Sequence, residues 1–354
     1  MTPPIHEHIY TKGDVSITVS NTYSIEALTL LKKTIYGTSG PKYQHTGQEN
    51  KIKSITSPYF FDLKENQKIV GTYCLSGRIV KIGSGNIDSF YGRYFAVNPA
   101  SSGKGYGSLL ITASNKYIES TVKQPFLFYA YVEESNGRSM RIFNKESSTS
   151  IGLLEAIVFS RLYPKQDSKF VQLQDNEQST LLSLLNDTYK DYSLVNFDHV
   201  FYKQNYFVLK ENGEIIAGVQ ANPVLWRIVD MPGLSGKFIL NILPFIPVLS
   251  RLINPHSYRF VALEAIYVKS GHEEELQTLI ESVLHHFSVT SALLLLDINS
   301  PIYKMLKESG KLGIMNSLKK RIHTHVMAKA NGVAINQIKQ FPEQPIYTSA
   351  FDYT

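Results

Sequence analysis

Three glycines spaced two residues apart are the feature of this sequence with the clearest chemical meaning. Gly103, Gly105 and Gly107 lie between Phe95 and Leu110, in the segment FAVNPASSGKGYGSLL. Glycine has no Cβ and tolerates positive φ, so such a turn can gather several backbone N–H groups where a helix begins. N–H groups at a helix N-terminus favour negative charge. The pattern therefore predicts an anion site suited to a phosphate or a pyrophosphate.

The residues on both sides of this turn predict a strand before it and a helix after it. Phe95–Val97 is an apolar strand end, and Asn98-Pro99 marks the exit from that strand. After the turn, apolar residues recur at the spacing of a surface helix. These residues are Leu109, Leu110, Ala113, Tyr117 and Ile118. The next apolar run, Phe126–Val132, predicts a buried central strand. Glycines at such a junction can also serve close packing alone, and the sequence leaves that alternative open.

Length and composition indicate a globular protein of two domains. The chain has 354 residues, of which 43% are hydrophobic and 19% charged, and this balance argues against disorder. The formal net charge is +6, without a run of Lys and Arg on one element of the kind that nucleic-acid binding uses. We therefore expect no nucleic-acid partner.

The remaining signals favour a soluble cytoplasmic protein without a metal or a membrane partner. The first eight residues lack the basic and then apolar pattern of a signal peptide. Phe238–Leu249 is the most apolar segment, but two prolines interrupt it and it is too short to span a bilayer. Cys74 is the only cysteine, and its apolar surroundings predict a buried thiol in a reducing compartment. The histidine pairs lack the spacing of metal ligands. We expect a monomer or a homodimer.

Two similar segments indicate that the chain is a tandem duplication. Residues 59–71, YFFDLKENQKIVG, reappear as residues 206–218, YFVLKENGEIIAG, about one domain length further on. Each predicts a strand, a polar turn and a second strand. We therefore predict an α/β fold of two tandem domains, each with a mixed central sheet flanked by helices. The predicted domains are residues 1–166 and 167–354, the second with an insertion at 223–257 and a C-terminal tail.

The first half resembles the GNAT superfamily of acyl-CoA-dependent N-acyltransferases. The resemblance rests on the strand ending at Val97, the turn SGKGYG at 102–107 with its helix, and the strand that leads into Val132–Asn136. It implies a V-shaped opening between the strands around Phe95–Val97 and Phe126–Val132. The pantetheine arm of coenzyme A would lie in this opening, with its pyrophosphate on the glycine turn. The implied activity is transfer of acetyl from acetyl-CoA to an amine by direct attack in a ternary complex.

The resemblance also assigns residues to the binding of coenzyme A. The predicted contacts are Ala96, Val97, Ser102, Gly103, Lys104, Gly105, Tyr106, Gly107, Ser108, Asn136 and Phe143. The N–H of Val97 is further expected to polarise the thioester carbonyl as an oxyanion donor. Ser102 stands where the family pattern has Gln or Arg, so one donor is shorter than usual.

The usual acid and base of the family are missing from their usual places. Phe143 stands where many members carry a tyrosine acid, and Arg93 stands where some carry a glutamate base. Thioester aminolysis needs a neutral amine and a proton for the sulfur. We therefore predict that Tyr94 and Tyr131 supply the acid and Glu133 the base.

Other assignments of the acid and the base remain open. The further candidates are Asp88 and Glu134 as bases and Tyr91 and Tyr129 as acids. The chain's C-terminal carboxylate at Thr354 is another, because some tandem members of the family use theirs as base. Proximity alone can also contribute much of the rate. The alternative to an enzyme is a non-catalytic acyl-CoA-binding or regulatory protein of the same fold.

The second half departs from the pattern at its own helix start. One glycine, Gly271, remains there, and the glutamates at 273–275 follow it. Such carboxylates repel a pyrophosphate and stabilise a helix N-terminus themselves. Glu264 stands at the family's base position, which without a cofactor predicts a relic or a substrate contact. We therefore predict a structural and substrate-shaping domain, whose insertion lines an acceptor pocket, forms a dimer contact or covers the sheet.

Overall fold

The chain divides into two compact units. The computed structural model describes residues 5–83, 85–246, 249–318, 321–333 and 341–354. The first unit comprises Met1–Tyr36, Gly47–Gly152 and Thr324–Gln340. The second comprises Gly37–Thr46, Leu153–His323 and Phe341–Thr354.

Strands and helices alternate along both units. The strands are β1 His6–Lys12, β2 Val15–Ser20, β3 Lys42–Thr46, β4 Pro58–Glu65, β5 Lys68–Ile82, β6 Gly85–Val97, β7 Phe126–Glu133, β8 Thr149–Ser160, β9 Phe170–Gln172, β10 Tyr206–Glu211, β11 Glu214–Asp230, β12 Tyr258–Val268, β13 Ser291–Asp297 and β14 His323–Asn331. The helices are α1 Ile25–Lys33, α2 Glu49–Lys53, α3 Tyr106–Thr121, α4 Gly137–Lys145, α5 Gln178–Thr188, α6 Gly233–Asn241, α7 Glu275–His286, α8 Pro301–Glu308, α9 Ile314–Leu318 and α10 Ala350–Tyr353.

The strands of the first unit follow the order β1-β2-β4-β5-β6-β7-β14. Neighbouring strands are antiparallel except β6 and β7, which are parallel. A parallel pair needs a crossover connection, and α3 provides it. The apolar side of α3 packs on the sheet through Leu110, Ile111 and Ile118, in one core with Phe61 and Phe126. All five side chains are at most 1% exposed, so the helix after the glycine turn is fixed to the sheet.

The strands of the second unit follow the order β8-β13-β12-β11-β10-β9, and β3 pairs with the far half of β11. The pairs are again antiparallel except one, β12 with β13, which α7 connects. Leu279, Ile280 and Val283 of α7 are fully buried against this sheet. The segments β4-β5-β6-α3-β7 and β10-β11-β12-α7-β13 therefore repeat one arrangement. This repeat confirms the predicted mixed α/β fold and its duplication.

The division between the units differs from the predicted division after residue 166. β3 belongs to the second unit because it pairs with β11, from Thr46 opposite Leu225 to Lys42 opposite Asp230. β14 belongs to the first unit because it pairs along the whole length of β7. The predicted insertion at 223–257 also begins inside β11, so the segment outside that strand starts at Met231.

Three further observations concern membranes, metals and thiols. Within the residues that the structure describes, no helix has the length and apolar character needed to cross a membrane. The same residues contain no group of three His, Cys, Asp or Glu side chains placed to hold a metal ion. Cys74 is fully buried, and burial raises the pKa of its thiol to about 12.

Candidate active site

The parallel strands β6 and β7 separate partway along their length. They pair from Asp88 opposite Phe126 to Tyr91 opposite Tyr129, and beyond that point each strand continues alone. The cause is a bulge in β6, where Tyr94 adopts a φ of 51° and the register with β5 shifts. A bulge adds one residue to a strand, bends it and ends regular pairing. The result is an opening between the last residues of β6 and of β7.

The backbone of Val97 faces this opening. Val97 lies opposite Gly71 on β5, and the N–H of Asn98 donates to the carbonyl of Val70 at 2.8 Å. In an antiparallel ladder this bond marks Gly71 and Val97 as a pair without mutual hydrogen bonds. The N–H and C=O of Val97 therefore point away from β5. Those of Ala96 point towards β5, because alternate residues on a strand direct these groups to opposite sides.

The glycine turn leads from β6 into α3 with its backbone donors uncovered. Gly103 and Gly105 have φ values of 86° and 78°, and Gly105 is the N-cap of α3 without a side-chain acceptor. Among the described residues, no backbone or side-chain group accepts a hydrogen bond from the N–H groups of residues 103–108. Residues 102–105 are exposed. These donors can therefore meet an anion from solution.

The three glycines do not share one structural role. A Cβ on Gly107 would lie 3.2 Å from Phe95, so this glycine allows the close packing of α3 on β6. A Cβ on Gly103 or Gly105 would meet nothing within 4 Å. Close packing therefore accounts for Gly107 only, and the positive φ of the turn accounts for the other two.

A carboxylate that sequence reasoning did not single out lies beside the turn. Lys104 Nζ donates to Glu65 Oε1 at 2.7 Å, and the Tyr106 hydroxyl donates to the same oxygen at 2.5 Å. The hydrogen bond from Lys104 is the main cause that lowers the pKa of Glu65, and Glu65 raises the pKa of Lys104 in return. The charge of Lys104 is thus balanced by a carboxylate of this chain. The N–H groups of the backbone and the hydroxyl of the exposed Ser102 remain as donors at the turn.

The residues after β7 form the start of α4. Asn136 is the N-cap of this helix, and its Oδ1 accepts from the N–H of Ser139 at 3.1 Å. Its Nδ2 group has no acceptor among the described residues. Phe143 is half-buried on α4 and packs against the core of the first unit. The contacts of Asn136 and Phe143 with coenzyme A stay predictions.

The candidate acid and base residues lie on the two separated strands. The hydroxyl of Tyr94, at the bulge, accepts from Arg93 Nη2 at 3.0 Å. The ring of Tyr131 lies 5.1 Å from that of Tyr91. Glu133 is the half-buried last residue of β7. The catalytic roles of Tyr94, Tyr131 and Glu133 stay predictions.

Asp88 has a different position from the other candidate bases. It begins the paired part of β6 and accepts from Gln124 Nε2 at 2.8 Å. Val97 lies nine positions further along the strand, a distance of about 30 Å. Asp88 therefore lies far from the Val97 end of the opening.

At the corresponding helix start of the second unit, hydrogen-bond donors and carboxylates of the same unit bind each other. Gly271 has a φ of 83°, and its N–H donates to Glu273 Oε1 at 3.0 Å. The hydrogen bond from Gly271 is the main cause that lowers the pKa of Glu273. Glu275 is held by Lys169 at 2.5 Å. The described residues at this helix start therefore leave no row of N–H groups without an acceptor like the row at residues 103–108 of the first unit.

The second unit also has an opening between its parallel strands, and its own chain occupies it. β12 and β13 pair only at Val261 and Ala262, and Ala265 repeats the bulge of the first unit with a φ of 49°. The Tyr353 hydroxyl donates to the carbonyl of Leu263 at 3.2 Å and accepts from the N–H of Leu295 at 3.3 Å. It thus bridges the two separated strands.

Other residues near the C-terminus complete this occupation. The N–H of Ile346 donates to Asp297 Oδ2 at 3.1 Å, and Thr348 donates to the carbonyl of Leu295. Glu264 accepts from Asn222 Nδ2 at 2.8 Å and from the N–H of Phe351 at 3.3 Å. A cavity of about 20 Å³ remains, which is room for about one water molecule. The sequence analysis considered only the carboxylate of Thr354 in this segment, as a base. That the segment fills the opening between β12 and β13 could not be predicted, because nothing local in it indicates where it returns.

Comparisons with known proteins identify the fold. No family model matches the sequence, and no curated protein matches it either. A structure of Saccharomyces cerevisiae N-myristoyltransferase with bound myristoyl-CoA superposes with a TM-score of 0.63 at 7% identity, covering 99% of this chain and 87% of that chain. A second structure of that enzyme with myristoyl-CoA gives 0.62 at 8% identity, covering 92% and 85%. A GCN5-related N-acetyltransferase from Anabaena variabilis ATCC 29413 gives 0.50 at 10% identity, covering 88% and 72%. These likenesses confirm the predicted fold.

Proposed function

We propose that this chain, which has the GNAT fold, is an acyl-CoA-dependent N-acyltransferase. The observation that carries the proposal is the row of uncovered N–H groups at residues 103–108, beside an opening into which Val97 directs its N–H. The first feature suits a pyrophosphate and the second an oxyanion. The yeast N-myristoyltransferase with this fold holds myristoyl-CoA, which supports an acyl-CoA donor.

The reaction would be a direct transfer between two bound substrates. The amine nitrogen attacks the thioester carbonyl carbon, a C–N bond forms, and the C–S bond breaks. One proton leaves the nitrogen and one reaches the thiolate, so the products are an amide and free coenzyme A. In this scheme Val97 stabilises the oxyanion, Glu133 takes the proton from nitrogen, and Tyr94 or Tyr131 delivers one to sulfur.

We propose acetyl as the transferred group and leave the amine unspecified. We assign the acyl-CoA donor to the first unit, because the helix start and the strand opening of the second unit are both filled by its own residues. Small metabolites, peptide N-termini and lysine side chains are all compatible with direct attack. Rates measured with a panel of acyl-CoA donors of increasing chain length test the proposal of acetyl. Repeating the panel with each class of amine identifies the acceptor.

A second candidate is a regulatory acyl-CoA-binding protein of the same fold. The observation that favours it is the occupation of the family's base and acid positions by Arg93 and Phe143. Arg93 is buried and donates to Tyr94, so it has a structural partner in place. Under this alternative, acyl-CoA binds at the turn and no amine is acylated.

Release of coenzyme A thiol from acyl-CoA, measured with a thiol reagent, separates the candidates. Cys74 is fully buried with a raised thiol pKa, so the folded protein should contribute no background. Amine-dependent thiol release supports the transferase. Calorimetric binding of acyl-CoA without release on any amine supports the regulatory candidate. Absence of binding contradicts both.

A further inference from the structure

Large apolar side chains are exposed together on α6 and the turn that follows it. Phe238, Ile242 and Phe245 have exposed fractions of 42%, 50% and 83%. They are spaced i, i+4 and i+7. α6 ends at Asn241, and hydrogen bonds from the N–H of Ile242 to the carbonyl of Phe238 at 2.9 Å and from the N–H of Phe245 to the carbonyl of Ile242 at 3.0 Å continue the turns to Phe245. Side chains at this spacing lie on one side of a helix. We call these three residues the apolar stripe.

Part of the helix is turned towards the protein, whereas Lys237 and Asn241 are exposed. Gly236 is buried, and Ile239 and Leu240 are half-buried. The helix thus packs through one apolar side and presents a second one to solvent. Single exposed apolar residues such as Ile25 are ordinary on a protein surface. A contiguous set with two phenylalanines marks an interaction site.

The sequence segment that contains the stripe carries charge of one sign. From residue 231 to residue 257 the sequence contains no Asp or Glu, and it contains Lys237 and Arg251. Both cations are exposed, and neither pairs with a carboxylate among the described residues. Apolar residues with basic neighbours are typical of helices that lie in the interface of an anionic bilayer.

The size of the stripe argues against a second copy of the chain as its occupant. Its exposed area is roughly 300 Å², given the surface of two aromatic side chains and one isoleucine. A stable protein interface covers about 800 Å² on each partner. We therefore propose that the apolar stripe and its two basic neighbours dock the protein on an anionic lipid surface. This proposal differs from the expectation of no membrane partner, and it is independent of the proposed catalytic function.

Co-sedimentation of the full chain with lipid vesicles tests the proposal. The protein should bind phosphatidylcholine vesicles that contain phosphatidylglycerol, and it should bind pure phosphatidylcholine more weakly. Replacing the three stripe residues by serine should lower the bound fraction at least about tenfold. Ile25→Ser is the matched control, because Ile25 is 82% exposed on α1 and should be replaceable without effect. Thermal unfolding by circular dichroism checks that each variant folds.

A site-specific label gives a second readout. Cys74 is buried, so a cysteine at position 245 or 25 takes up a thiol-reactive, polarity-sensitive dye selectively. Anionic vesicles should shift the emission of the dye to the blue in Phe245→Cys and leave it unchanged in Ile25→Cys. Equal shifts, no vesicle binding by the wild type, or undiminished binding by the serine variant would overturn the proposal. It would also fall if light scattering shows a dimer that the serine variant dissociates.

Discussion

Replacement of Gly105 by glutamate should remove most of the affinity of the protein for coenzyme A. The residue sits at the N-cap of α3 with a φ of 78°, and an added Cβ would meet nothing within 4 Å. The new side chain therefore has room, but it places a carboxylate beside the predicted pyrophosphate. At about 5 Å, each pair of like charges costs from about 1 to 3 kcal/mol at a protein surface. A net cost of about 2 kcal/mol corresponds to a roughly 30-fold rise in Kd.

The second unit offers a matched control for this change. Gly271 has a φ of 83° and open space around an added Cβ, so Gly271→Glu carries the same backbone strain and the same charge. Strain of about 1–2 kcal/mol should lower the unfolding free energy of both variants alike. Gly105→Ala separates strain from charge, and its Kd should stay within about threefold of the wild type.

Isothermal titration of coenzyme A into the wild type and the three variants measures these effects. The loss in Gly105→Glu should shrink as salt rises, because screening weakens the repulsion between exposed charges. An unchanged Kd in Gly105→Glu would refute the assignment of the pyrophosphate to this turn. An equal loss in Gly271→Glu would show that the effect does not arise at the turn.

Further predictions concern the oxyanion donor, the carboxylate beside the turn and a buried acid. Val97→Pro removes an N–H that points away from β5. It should lower kcat about 100-fold and change the Kd of coenzyme A less. Unchanged kinetics would exclude the oxyanion role of Val97. Glu65→Gln releases Lys104 and removes a negative charge, which should tighten coenzyme A binding roughly threefold or more in the same titration. Glu214→Gln, which frees a lysine of the second unit, should not change that Kd. Burial raises the pKa of Asp62, so the native state holds its proton more strongly than the unfolded chain, and the unfolding free energy should fall as the pH rises above 3.8. Asp62→Asn should flatten this fall in urea titrations, and an identical slope would contradict the assignment.

The local features of the site could be predicted from the sequence. The positive φ at Gly103 and Gly105 follows from the turn pattern, and the buried side of α3 follows from its helical spacing. The different role of Gly107 could not be predicted, because it depends on contact with Phe95, twelve residues earlier in a strand. The side of β6 to which each backbone N–H and C=O group points could not be predicted either, because the bulge at Tyr94 determines it.

Long-range pairings account for what the sequence did not indicate. β3 and β14 join sheets whose other strands lie far away in the chain, and strand pairing of this kind leaves no local periodicity. The same holds for Tyr353, which bridges β12 and β13. The different helix start of the second unit could be predicted, because the glutamates that stand in place of the glycines lie in the motif itself.

The structure of the protein with a thioether analogue of acetyl-CoA tests the central claim most directly, because the analogue carries the carbonyl and cannot transfer its acyl group. We expect pyrophosphate oxygens within about 3 Å of N–H groups of residues 103–108 and the acyl carbonyl oxygen within hydrogen-bond distance of the N–H of Val97. Binding of the analogue at Gly271, or anywhere outside the opening between β6 and β7, would contradict it.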